Sequence, residues 1–152
     1  METAGARGSL DMSVTAMIRA MRPHHWLKNG LVFVPILLNH DVFDPAALWH
    51  GFIAFIAFSL IASAGYLLND IKGVDADRRH PTKCRRPLAA GEITAGQAYA
   101  AVPILLIAAF STVPLVPQPT NFLLALLAYL FLALAYLLVL KRKLLVDVLG
   151  LA

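Results

Sequence analysis

A single cysteine, Cys84, in 152 residues excludes an intrachain disulfide and leaves the redox compartment open. Charge is scarce as well. Asp, Glu, Lys and Arg make up 14% of the chain against 59% hydrophobic residues, whereas an average soluble domain is about a quarter charged. That balance argues against a water-soluble globule, and with a mean hydropathy of +0.71 the composition predicts an integral membrane protein. The five histidines, at positions 24, 25, 40, 50 and 80, show neither an H-E-x-x-H pattern nor a ligand-like pairing with Cys84, which argues against zinc. No Gly-rich phosphate loop occurs; the LAAGE and SAGY strings read as a helix stop and a packing contact. The opening METAGARGSLDMSV lacks the basic start and apolar core of a signal peptide, so the chain is expected to keep its N-terminus. No repeat of 20 to 50 residues is present.

What the chain does have is long apolar runs. Leu48 to Leu68, Ala95 to Val116 and Phe122 to Leu140 are each bounded by turn residues or charge, and each approaches the roughly 20 residues a helix needs to span a bilayer. A shorter run, Gly30 to Leu38, carries Pro35 and needs its flanks, Trp26 and Phe43, to reach across. Charge decides its fate. Arg19, Arg22 and Lys28 precede it and six bases follow Leu68; if both groups stay cytoplasmic, an even number of crossings must separate them. The short run is therefore predicted to cross too. HDVFDP and VPQPTN hold no Lys or Arg, and Lys141, Arg142 and Lys143 follow the fourth predicted crossing, so all 13 bases fall on one side.

The expected fold is all-α, a polytopic transmembrane helix bundle with a cytoplasmic N-terminus. Residues 1–21 are expected to form a tail with an amphipathic helix, Asp11 to Met21, lying on the cytoplasmic face. Residues 22–152 form the membrane domain. The final LLVDVLGLA, after Lys143, reads as the start of a fifth apolar segment without a closing charge, so a truncated bundle is expected.

Charge concentrates in NDIKGVDADRRHPTKCRRPLAAG, residues 69 to 91, with acids Asp70, Asp75 and Asp77 and bases Lys72, Arg78, Arg79, Lys83, Arg85 and Arg86. If the second crossing continues as a helix, Asn69, Gly73 and Asp77 follow one another at steps of four, each displaced by about 40°. Asp70 lies about 100° from Asn69 and nearly above Asp77 two turns on. Asn69, Asp70 and Asp77 thus converge on one cytoplasmic mouth. Such oxygen donors suit Mg²⁺, which binds through one or two carboxylates plus substrate phosphates, and the neighbouring bases suit a diphosphate. Bases in a cytoplasmic loop also follow from topology alone, but carboxylates abutting SLIASAGYLL are costly enough to point to function. Lys28, at the start of a crossing, either snorkels to the headgroups or contacts phosphate.

These residues resemble the UbiA-type intramembrane prenyltransferases, whose first aspartate-rich motif reads N-D-x-x-D-x-x-x-D. RPHHWLKN at 22 to 29, YLLND at 66 to 70 and DRRHPTKCRRPLAAG at 77 to 91 carry the likeness. AYLLVLKR at 135 to 142 is similar to the family's Y-S-x-x-L-K-R, with Leu137 in place of Ser. The resemblance implies a larger helical bundle of which this chain resembles the first half, and a transferase that handles a diphosphate with Mg²⁺. Asn69, Asp70 and Asp77 would hold the metal and act at the catalytic centre; Arg22, Lys28, Arg78, Lys83, Lys141 and Arg142 would contact phosphate. Gly73 departs from the motif and leaves the stripe one carboxylate short, and Asp75 lies about 200° round from it.

Three functional expectations follow from the resemblance. The first is prenyl transfer from an isoprenoid diphosphate to an acceptor. The second is phosphoribosyl transfer from phosphoribosyl diphosphate to a polyprenyl phosphate, because RPHHWLKN and DRRHPTK also resemble that branch. The third is a non-catalytic relative that keeps only the bundle. The expected partners are an isoprenoid diphosphate or polyprenyl phosphate and the lipid bilayer, with no nucleic acid.

Overall fold

The structure, a computed structural model, describes residues 14–140, with side chains through Leu138. It is helical throughout, with no strand among the described residues. Helix α1 covers 14–21. A 3-10 helix, Pro23–Phe33, then runs into the five-residue α2, Val34–Leu38. The long α3 is Pro45–Arg79, α4 is Ala95–Phe110, and α5 is Pro119–Ala135, extended by a π turn at Tyr136–Leu140.

Local chemistry sets these boundaries. Asp44 caps α3 by accepting from the Ala46 N–H at 2.9 Å, with Pro45 in the first turn where its missing N–H costs nothing. Thr94 and Gln97 form a reciprocal capping box at the start of α4. Gly91, at φ 79°, turns the chain before Thr94 in a conformation that only glycine adopts without penalty.

Among the described residues, three helices are long and apolar enough to cross a membrane: Pro45–Arg79, Ala95–Leu115 and Pro119–Leu138. They coincide with the three long runs of the sequence, and the chain is an integral membrane protein. At about 1.5 Å per residue, the 35 residues of α3 reach about 52 Å, well past a hydrocarbon core of about 30 Å. The excess is its charged C-terminal part, which carries Asn69, Asp70 and Asp77 beyond the apolar span.

The leading segment departs from a transmembrane α-helix. It lies antiparallel along α3: Arg22 pairs with Asp70, the Trp26 indole N–H donates to Ser63 Oγ at 3.0 Å, and Asn29 Nδ2 donates to Ser59 Oγ at 3.1 Å. Farther on, Phe33 meets Phe55, and Ile36 reaches Gly51, where an added Cβ would stand 2.6 Å from Ile36 Cδ1. From Asp70 back to Gly51 is about 28 Å of helix. The segment covers that length in fewer residues because a 3-10 helix rises about 2.0 Å per residue. Trp26, a flank of the short run, donates a hydrogen bond to the central helix.

α3 is the hub of two apolar clusters. Toward its charged end, Ala64 and Leu67 pack with Ala16 and Ala20 of α1, Leu88 and Ile93 of the following loop, and Ala98, Val102 and Leu105 of α4. Toward its other end, Ala57 and Ile61 pack with Ala109 of α4 and Leu126 of α5. Small residues on α3 let the helices approach closely, as membrane interfaces require. The amphipathic helix expected at Asp11 to Met21 is described only from residue 14; there Ala16 and Ala20 face the protein core, while Val14 and Ile18 are exposed. The apolar end expected beyond Lys143 lies outside the described residues.

Candidate active site

α3 runs through Gly73 without a break as far as Arg79, so the geometry of a regular helix applies to the motif. Asp70 and Asp77 are buried, the carboxylates 4% and 9% exposed. Their charge is met by arginine. Arg22 Nη2 donates to Asp70 Oδ1 at 2.6 Å; Arg86 Nη1 donates to the same oxygen at 3.1 Å and to Asp77 Oδ2 at 2.6 Å. One nitrogen thus bridges the two acids, which brings both carboxylates into one cluster. Asn69 Nδ2 lies 3.4 Å from Asp70 Oδ1. No buried side-chain polar atom among the described residues lacks a partner.

Arg22 reaches this cluster from an unusual backbone. Pro23 disfavours the α region for the residue before it, and Arg22 turns through the left-handed region at φ 55°, a conformation costing about 1–3 kcal/mol. Its pair with Asp70 and its position 5.1 Å from the Tyr66 ring centre hold it there.

Beside the cluster lies a cavity of about 380 Å³ between α3 and the α5 end. Its polar wall is Arg22, Asn69, Asp77, Lys83 and Arg86; its apolar wall is Ala62, Gly65, Tyr66, Tyr129, Ala133, Tyr136 and Leu137. The string at 135 to 142 thus contributes Tyr136 and Leu137 through the π turn, a feature common at functional sites. A lining that combines charged groups with hydrocarbon-like surface suits an amphiphile with an anionic group.

Of the candidate residues, Arg22, Asn69, Asp77 and Lys83 line this cavity, and Asp70 stands behind Arg22 and Arg86. Lys28 is exposed and away from the cavity wall. Arg78 points elsewhere, 3.8 Å from Asp75, whose side chain is 82% exposed. Lys141 and Arg142 lie outside the described residues. Arg86 is what sequence reasoning missed: within a run of six bases nothing singled it out, although its place nine residues after Asp77 is in the quoted string.

The acids also bear on a cation. No three His, Cys, Asp or Glu side chains gather among the described residues, so Asp70 and Asp77 are the acid donors at hand. Two carboxylates suffice for Mg²⁺ when substrate phosphates and water complete its shell, and the donor set fits on that condition. The oxygens now bound by Arg86 mark where positive charge is satisfied.

The fold and site describe a membrane helical bundle with an acid and arginine cluster at the charged end of α3. The UbiA prenyltransferase family model matches residues 31–152, and the chain belongs to that family. It is 37% identical over 152 residues to the decaprenyl-phosphate phosphoribosyltransferase of Mycolicibacterium smegmatis, covering 96% of this chain and 46% of the relative. To its namesake in Corynebacterium glutamicum it is 47% identical over 85 residues, covering 55% of this chain and 26% of that one. It is also 40% identical over 128 residues to the uncharacterized protein y4nM of Sinorhizobium fredii, covering 84% and 24%. The chain spans less than half the length of these curated relatives.

Proposed function

We propose that the protein transfers a phosphoribosyl group from phosphoribosyl diphosphate to a polyprenyl phosphate at the membrane surface. The observation that carries this reading is the 37% identity, over 96% of the chain, to a relative named for that reaction. The cavity supports it, since a cationic wall and an aromatic and aliphatic wall meet there. Between the two transfers expected from sequence, the names of the relatives favour the phosphoribosyl one.

In this reading a lipid phosphate oxygen attacks the anomeric carbon of the ribose, the bond from that carbon to the diphosphate breaks, and diphosphate leaves with the electron pair. Arg22, Arg86 and Lys83 present fixed positive charge to the departing diphosphate, which stabilises charge that grows in the transition state. Asp70 and Asp77 hold the two arginines in place and would hold Mg²⁺, which supplies further positive charge to the diphosphate when bound. Tyr66, Tyr129 and Tyr136 exclude water and face the first isoprene units of the acceptor.

The test is an assay of membranes containing the protein, given polyprenyl phosphate with labelled phosphoribosyl diphosphate or, separately, labelled prenyl diphosphate and an acceptor. Label is expected in a lipid-linked phosphoribose, and Asp77→Asn should slow its formation about a hundredfold, roughly 3 kcal/mol at the barrier. Incorporation from the prenyl diphosphate alone would move the reading to prenyl transfer. Activity that survives Asp77→Asn unchanged would place the chemistry elsewhere.

A further inference from the structure

A second cavity, of about 620 Å³, is lined in part by the Arg22–Asp70–Arg86 cluster. It opens between the end of α1, the start of the 3-10 helix and the loop after Arg85. Arg22 and Arg86 line both cavities, so the two adjoin at these arginines.

Its lining is strongly unbalanced in charge. Arg19, Arg22, Arg85 and Arg86 stand against one acid, Asp70, and His24 and His25 add two ring nitrogens each. Arg19 is spoken for by Glu92 at 2.9 Å, and Arg22 and Arg86 by the aspartates. Arg85 makes no ion pair among the described residues. The positive-inside tendency accounts for bases on this side of the membrane. It does not account for their convergence on one concavity, with Arg22 and Arg86 only 17% and 24% exposed. A guanidinium carries five N–H donors in a planar fork, so Arg22 and Arg86 can hold an aspartate and still donate to an oxyanion on either face.

We propose that this cavity binds a phosphate monoester, and that its occupant is the 5-phosphate of the sugar donor. The assignment of the occupant rests on the phosphoribosyl reading above; the phosphate site itself does not. A phosphoribosyl diphosphate has anionic groups at both ends of one ribose, and two cationic cavities sharing one arginine wall match that pattern. A prenyl diphosphate has one anionic end and leaves the second cavity without a role. The walls here are mainly arginine, histidine and proline, with Ile18 and Ala20 at one edge, which favours a soluble phosphate over a lipid tail.

The experiment is calorimetric titration of the purified protein in detergent with three probes: ribose 5-phosphate, inorganic diphosphate, and micelles doped with phosphatidic acid. The variant is Arg85→Gln with His24→Gln, both exposed positions. Ribose 5-phosphate is expected to bind, and the double variant to weaken it at least tenfold while changing diphosphate affinity less than twofold. The proposal is overturned if ribose 5-phosphate does not bind, if the variant leaves its affinity unchanged, or if diphosphate weakens equally, since the cavity would then belong to the diphosphate. Binding of phosphatidic acid in place of ribose 5-phosphate, lost in the variant, would overturn the sugar assignment in favour of a lipid headgroup. Ribose 5-phosphate binding that depends on Arg85 and His24 in a protein lacking phosphoribosyl transfer would uphold the phosphate site and sink the functional reading alone.

Discussion

Arg86 takes one oxygen of each carboxylate, Asp70 Oδ1 and Asp77 Oδ2, so a divalent cation held by these acids would share them with it. Removing the guanidinium in Arg86→Met leaves Asp70 and Asp77 buried without their shared partner, a change expected to destabilise by about 3 kcal/mol. If those carboxylates also hold Mg²⁺, adding it should raise the melting temperature of Arg86→Met more than that of the unaltered protein, because a ligand stabilises the state that binds it. Equal shifts in both would remove these acids from the metal's ligands. Gly73 gives a second reading of the same question. A Cβ there would stand 3.9 Å from Asp77 Oδ2, with no closer contact. Gly73→Ala should therefore stabilise by about 0.5–1 kcal/mol through helix propensity alone. Gly73→Asp adds a like charge beside Asp77, so in chelator it should melt below the Ala variant and in excess Mg²⁺ above it. The reverse order would show that the stripe does not bind the cation. The acid half of this site was legible because Asn69, Asp70 and Asp77 lie on a helix whose period can be counted. The arginine half was not, because which member of a basic run turns inward depends on the loop's path back to α3, and no periodicity records that.

At the scale of elements, the three long helices were readable as unbroken apolar runs, and Pro45, Thr94 and Pro119 mark their starts. The leading segment was readable only through charge counting, since its fit depends on a polar seam, Trp26 with Ser63 and Asn29 with Ser59, that links residues far apart in sequence. At Gly51 the two elements pack without room for a further side-chain atom. An alanine there would bring Cβ to 2.6 Å from Ile36 Cδ1 and 3.1 Å from the Phe33 ring. The Ile36 terminus can rotate away, but the Phe33 ring is already packed on Phe55. Gly51→Ala should therefore cost about 1 kcal/mol from overpacking, despite alanine's better helix propensity. A melting temperature at or above that of the unaltered protein would show that the segment is loosely seated on α3.

For the whole molecule, the question is how many times the chain crosses. Arg22 pairs with Asp70, which ties the start of the 3-10 helix to the charged end of α3. Ile36 meets Gly51, near the other end. The stretch from Arg22 to Ile36 therefore travels about 28 Å along a helix long and apolar enough to span the bilayer, nearly the full hydrocarbon thickness of about 30 Å. Four crossings are therefore expected, where three helices among the described residues qualify by length and hydropathy. Single cysteines at His24, Asn39 and Lys83, all exposed, with Cys84 replaced, distinguish the two counts when labelled by an impermeant reagent from each face. His24 and Lys83 should react from one side and Asn39 from the other, and the side shared by His24 and Lys83 should be the cytoplasm, where the Lys and Arg residues gather. If Asn39 reacts together with His24, the segment dips in and returns, and the seam with α3 belongs to a re-entrant hairpin. If all three react from one side, α3 itself does not cross.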